Sequence, residues 1–202
     1  MQRSRFTISL LWVAVVALGA MVGCTRGEIL DNIARAESIV VEESEEALRL
    51  MQSIPEGAVR GEHHRARYAL VYSEALYHNY IDVESDTLTR PMAEYYLESD
   101  MHAERARALY QHALVKRQQG ELPEAMLMLE EAEVSLGRVQ NLKLLALVHR
   151  TKGDIYNDGC LFVNALHAYE EALALFDTLD LDYHYHSLLY DMGATEIQIR
   201  NF

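Results

Sequence analysis

The sequence predicts an all-α protein in which antiparallel helix pairs stack into a solenoid. Three observations carry this. Prolines are few, and each of Pro55, Pro91 and Pro123 falls near the edge of a helical stretch, where a missing N–H costs least. Apolar residues make up 50% of the chain, yet nowhere alternate over a useful strand length. Small residues also recur at a fixed offset. "PEAMLMLEEA" at 123–132 aligns with "VNALHAYEEA" at 163–172, so that Ala125, Leu129 and Ala132 match Ala165, Tyr169 and Ala172 with an offset of 40. The same offset of 40 links Ser73, Ala113, Gly153 and Gly193. A repeat of this length is the mark of stacked supersecondary units.

The elements follow in order. Residues 1–23 hold Arg3 and Arg5, no acid, and the apolar run "FTISLLWVAVVALGAM". That run is about 16 residues, short of the roughly 20 that span a bilayer, so it reads as an export signal. The next residues, "MVGC", resemble the lipobox of bacterial lipoproteins, with Gly23 before Cys24 and with Met21 and Val22 departing from the usual Leu and Ser or Ala. The resemblance implies that Cys24 is lipidated and becomes the mature N-terminus, followed by a short linker at 24–28. Two or three acyl chains would anchor it stably, where one holds only marginally.

Helix pairs are expected at 29–41 with 44–54, 60–80 with 89–98, 102–119 with 122–136, and 141–158 with 161–179. The connections "QQGEL" and "NDGC" carry the glycine of a tight helix end. A last helix at 183–200 has no partner. Leu188, Leu189 and Met192 share one of its faces by spacing, and Ile197 and Ile199 follow, so one side should pack on the preceding unit and leave the other open. Self-association through this helix, or a missing following segment, is the expectation.

This pattern resembles the tetratricopeptide repeat, a helix–turn–helix unit. The family carries a small residue and then an aromatic on its first helix, and alanine, a bulky residue and alanine on its second. Gly153, Tyr156, Ala165, Tyr169 and Ala172 match all of these, and Ala113, Ala125, Leu129 and Ala132 match with Lys116 in place of the aromatic. Ser73, Ala47 and Met51 match more weakly, and Gly193 opens a further unit without a second helix. The period of 40 exceeds the family's 34. The resemblance covers residues 29–202 and implies a concave face lined by the first helices, presented to a protein or peptide. It places Arg67, Leu70, Glu74, Tyr77 and His78 on that face, then Arg107, Tyr110, Leu114, Arg117 and Gln118. Arg150, Asp154, Asn157 and Asp158 follow, and lastly Tyr190, Ala194 and Gln198. Arg107, Arg117 and Arg150 either fork onto carboxylates of a ligand peptide or pair with neighbouring acids. Tyr110, Tyr156, Tyr169 and Tyr190 either pack between repeats or face the groove.

Removing the signal's two arginines takes the formal charge from −13 to −15, which disfavours nucleic acid and anionic lipid head groups as partners. With Cys24 acylated, Cys160 is left alone and no internal disulfide forms; its apolar neighbours make it a small packed residue. No catalytic residue, metal ligand or cofactor site is expected. His184 and His186, two apart, point about 200° apart on a helix, and His63 and His64 diverge likewise. No HExxH, P-loop, GxSxG or zinc-spaced Cys/His set occurs.

The expected function is that of a membrane-anchored scaffold in a Gram-negative cell envelope, facing the periplasm or on the outer membrane. Thr25 rather than Asp after Cys24 favours the outer membrane by analogy. A second reading is the sensor half of a longer signalling protein, since exported repeat regions also precede a membrane span and a LuxR-type helix-turn-helix domain.

Overall fold

The computed structural model describes residues 26–201; Cys24 and the signal lie outside the described residues. The described chain is all-helical. In order, the helices are α1 (Arg26–Ile39), α2 (Ser44–Gln52), α3 (Glu62–His78), α4 (Thr89–Leu97), α5 (His102–Gln118), α6 (Leu122–Leu136), α7 (Leu142–Asp158), α8 (Phe162–Thr178) and α9 (Asp182–Asn201). Each expected helix is present, with ends shifted by up to three residues. Helix α1 starts at Arg26, so most of the expected linker at 24–28 is helical.

Local chemistry explains the boundaries. Pro123 lies in the first turn of α6, where no intrahelical N–H bond is lost. Asn141 caps α7, its side-chain oxygen accepting from the Leu144 N–H at 3.1 Å. The C-termini of α3, α5, α7 and α8 all end the same way. Tyr80, Gly120, Cys160 and Asp180 have φ of 55°, 79°, 58° and 51°. The following N–H in each case reaches back five residues: Ile81 to Leu76, Glu121 to Lys116, Leu161 to Tyr156 and Leu181 to Phe176, at 2.8–3.0 Å. This is the Schellman closure, which satisfies carbonyls that a helix end leaves open. Tyr80, Gly120 and Cys160 are 40 residues apart, so the turn repeats with the sequence. In "NDGC" the left-handed residue is therefore Cys160, not Gly159. Cys160 is exposed, which corrects its expected place in the core.

Each helix packs on the next, and the odd helices also pack on one another: α1 on α3, α3 on α5, α5 on α7. Apolar side chains gather in successive clusters that each join three or more consecutive helices. Ile33, Met51 and Val71 unite α1, α2 and α3. Leu70, Met92 and Ala108 unite α3, α4 and α5. Leu109, Ala113, Leu129, Ala132 and Val148, with Ala93 of α4, unite α4, α5, α6 and α7. Ala146, Ala165, Tyr169, Phe176 and Leu188 unite α7, α8 and α9. Ala125, Ala132, Ala165 and Ala172 are completely buried, as the repeat pattern requires where helices meet closely. Gly153 is filled from outside: a Cβ there would lie 2.4 Å from ring carbons of Tyr169. At Gly193 a Cβ would meet nothing within 4 Å.

Lys116, where the pattern has an aromatic, is nearly buried and lies 3.0 Å from Asp86 and 2.8 Å from Glu121. It ties the long 79–88 connection onto α5, helped by Gln119, which donates to the Glu84 carbonyl at 3.0 Å. Hydrogen bonds from Arg90 and Lys116 hold the Asp86 carboxyl down to about 2.

The last helix departs from expectation in one respect. Leu188 is buried and Met192 packs on the same cluster, but Leu189 is 42% exposed, so the three do not share one buried face. Tyr190 and Ile197 also face outward. No helix among the described residues is long and apolar enough to cross a membrane.

Candidate functional site

The polar residues of the odd helices form a ladder of ion pairs. At one end, Arg67 of α3 donates to Glu37 of α1, its Nε 2.8 Å from Oε2. Arg107 of α5 spans two helices, with Nε 2.7 Å from Glu74 Oε1 of α3 and Nη1 3.0 Å from Glu37 Oε1. Arg117 of α5 reaches α7, with Nη1 3.0 Å from Asp154 and Nε 2.7 Å from Asp158. Arg150 of α7 reaches α9, its Nη2 2.7 Å from Asp191 and 3.2 Å from the Ser187 hydroxyl. The Thr195 hydroxyl of α9 donates to Asn157 Oδ1 of α7 at 3.1 Å.

The electrostatics follow burial and pairing. Burial pushes the Glu37 carboxyl up, but hydrogen bonds from Arg67 and Arg107 outweigh it and leave it below the usual range. At Asp154 the balance is opposite. Burial dominates, and the Arg117 charge and the Tyr169 hydrogen bond offset it only in part, so this carboxyl is raised.

Of the two readings of the arginines, the structure displays the internal one. Arg67, Arg107, Arg117 and Arg150 all hold acids of their own chain. Glu74, only 8% exposed, and Tyr110, 3% exposed, are interior residues; Tyr110 meets the Tyr77 ring edge-on at 6.2 Å. Leu70 is likewise core. His78 is half-buried, and burial lowers its pKa. Gln118 and Asp158 are exposed. Tyr190 is 79% exposed and stands clear of the ladder.

Between α5, α7 and α9 the ladder opens into a hollow of about 360 Å³. Arg117, Arg150, Asp154, Asn157, Ala194 and Gln198 line it, as the repeat register anticipates, together with Tyr169, Asp191 and Thr195. The Tyr169 hydroxyl enters from α8 and donates to Asp154 Oδ1 at 2.9 Å. The sequence carried a signal for Asp191 and Thr195: they lie four apart on α9 and so share a face. Arg150 uses only Nη2; its Nε and Nη1 have no hydrogen-bond partner among the described residues.

A second, larger groove of about 980 Å³ lies between the α2–α3 connection, α3 and α4. Sequence reasoning missed it, although Tyr68 and Tyr72 form a one-turn aromatic stripe. Among the described residues no three His, Cys, Asp or Glu side chains converge as a metal site. His184 and His186 both lie within α9, so the extended segment that could join them is absent. Comparison with family models, with curated proteins and with solved structures finds no match.

Proposed function

We propose that this chain is a tetratricopeptide-like solenoid, anchored in a bacterial envelope by lipid on Cys24, that binds protein or peptide partners on the face of its odd helices. The observation that carries the reading is the hollow between α5, α7 and α9, where Arg150 keeps Nε and Nη1 without a partner among the described residues. Ion pairs fix the surrounding side chains in place, so little side-chain freedom is lost when a ligand enters. A carboxylate or backbone carbonyl of a peptide would take the two open donors.

The solenoid part of the reading is supported by the recurring Schellman turn, the packing of odd helices on each other, and the Gly153–Tyr169 contact. The anchor rests on the basic start, the short apolar run and the "VGC" that ends it. Most charged groups of the hollow are engaged with one another, which fits a preformed binding surface with the remaining Arg150 donors left for a ligand.

Two measurements test this. Labelled fatty acid should enter the full chain in a lipoprotein-processing bacterium and not Cys24→Ala; equal label contradicts the anchor. A photo-crosslinking residue at exposed Ala194, in the hollow, should trap discrete partners in the envelope, and the adducts should disappear with Arg150→Ala. The same residue at exposed Val134 on α6 should not trap them. Identical adducts from both positions would overturn the assignment of the odd-helix face.

A further inference from the structure

We propose that the groove between the α2–α3 connection, α3 and α4 is a separate binding site, which takes a peptide segment whose apolar side chains are flanked by lysine or arginine. It shares no residue with the hollow, so it stands or falls independently of the odd-helix face.

The groove is built for apolar groups. Its floor includes the buried side chains of Ile54, Val59 and Met92, and Tyr68, Tyr72 and Tyr95 wall it. The Tyr68 and Tyr72 rings lie 5.6 Å apart, tilted by 50°, and both are half-buried. Neither hydroxyl has a hydrogen-bond partner among the described residues, whereas Tyr95 has His63 Nδ1 at 3.3 Å. A space of about 980 Å³ sits at the upper end of sites that hold small ligands, and it accommodates several side chains.

The charge at its edge selects the flanks of the occupant. Glu56, Glu62, Glu94 and Glu98 line the groove, all exposed, against Arg65 as the one cation. None of the four makes an ion pair or hydrogen bond among the described residues. On the odd-helix face the reverse holds, since Glu37, Glu74, Asp154, Asp158 and Asp191 each have a guanidinium. Arg90 is near enough to Glu94 to feel its charge, yet with four acids against Arg65 the groove keeps a net negative rim around aromatic faces. Both features attract the same group: a carboxylate pairs with an ammonium or guanidinium, and an aromatic face adds cation–π attraction. Burial, then Tyr72 and Glu56, raise the Tyr68 pKa, which agrees with an apolar wall under a negative field.

The probe is the heptapeptide Lys-Lys-Leu-Phe-Leu-Lys-Lys with a neutral fluorophore, titrated with the full chain in a neutral detergent and read by anisotropy against detergent alone. Glu56→Lys with Glu98→Lys should weaken binding roughly tenfold, since these exposed side chains bear on nothing that holds the fold. Glu170→Lys with Glu196→Lys makes the same change in net charge far from the groove, and should alter binding less than about twofold. Replacing the peptide's Leu-Phe-Leu by Gly-Ser-Gly, or its lysines by glutamates, should each abolish saturable binding. Equal losses from the two double variants would reduce the effect to general attraction by an acidic chain and overturn the site. So would full binding of the Gly-Ser-Gly peptide or the glutamate peptide, or failure of the parent peptide to bind.

Discussion

Gly153 of α7 and the Tyr169 ring of α8 occupy one space: a Cβ on Gly153 would lie 2.4 Å from two ring carbons. The contact is possible only because glycine has no side chain, and it sets how closely the two helices approach. Gly153→Ala is therefore expected to destabilise by about 2 kcal/mol, because the ring cannot retreat without losing its hydrogen bond to Asp154. At Gly193, 40 residues on, a Cβ meets open space, so Gly193→Ala should stabilise by about 0.5–1 kcal/mol through helix propensity. Urea unfolding of the two variants checks the opposite signs.

The left-handed turn residues give a second pair of opposite effects. Cys160 is held at φ 58° without glycine's freedom. Cys160→Gly should relieve that strain and stabilise by about 1 kcal/mol, net of glycine's entropy. Gly120→Ala, at φ 79°, should destabilise by about 1 kcal/mol although nothing lies within 4 Å of the added methyl. A thermal melt of each variant decides the matter.

These turns also mark where sequence reasoning stopped. The helices were legible because proline and glycine punctuate them and because buried alanines recur at 125, 132, 165 and 172. Cys160 was misplaced because Leu161 and Phe162 beside it suggest burial, while its backbone role shows only when Tyr80, Gly120 and Cys160 are aligned. The arginines on the odd helices were legible as a set. Their partners were not, because an arginine side chain reaches acids on either side of a helix turn: Arg117 holds both Asp154 and Asp158. The large groove was illegible because three separate segments make it, and the path of the 53–61 connection follows from tertiary packing.

His112 on α5 links stability to pH. It is buried, with Nδ1 3.0 Å from the Thr89 hydroxyl. Burial, then Lys116, depress its pKa below 6.5; Arg90 lowers it further, while Asp86 and Glu94 pull it back in part. A depressed folded pKa means that the unfolded chain takes the proton first. The contribution is complete above about pH 6.5 and is lost as pH falls below that toward the folded value. His112→Gln should accordingly show a smaller drop in melting temperature than the parent between about pH 7 and pH 5.5. His78 and His184, also depressed by burial, titrate in both proteins and set the remaining slope.

The proposed binding face depends on odd helices lying side by side, and Arg107 with Glu74 reports on that directly. The pair joins α5 to α3, with side chains 23% and 10% exposed; removing Arg107 leaves the Glu74 carboxylate buried alone, while removing Glu74 leaves Arg107 with Glu37 as its one remaining acid among the described residues. Arg107→Ala should cost about 2 kcal/mol or more, and Glu74→Ala, which leaves Arg107 paired with Glu37, about 1–2 kcal/mol. A double-mutant cycle in urea is the measurement. The account predicts that the double variant falls short of the sum of the singles by about 1–2 kcal/mol. Strictly additive losses would mean that α3 and α5 do not meet in this register, and the shared face of the odd helices would be contradicted.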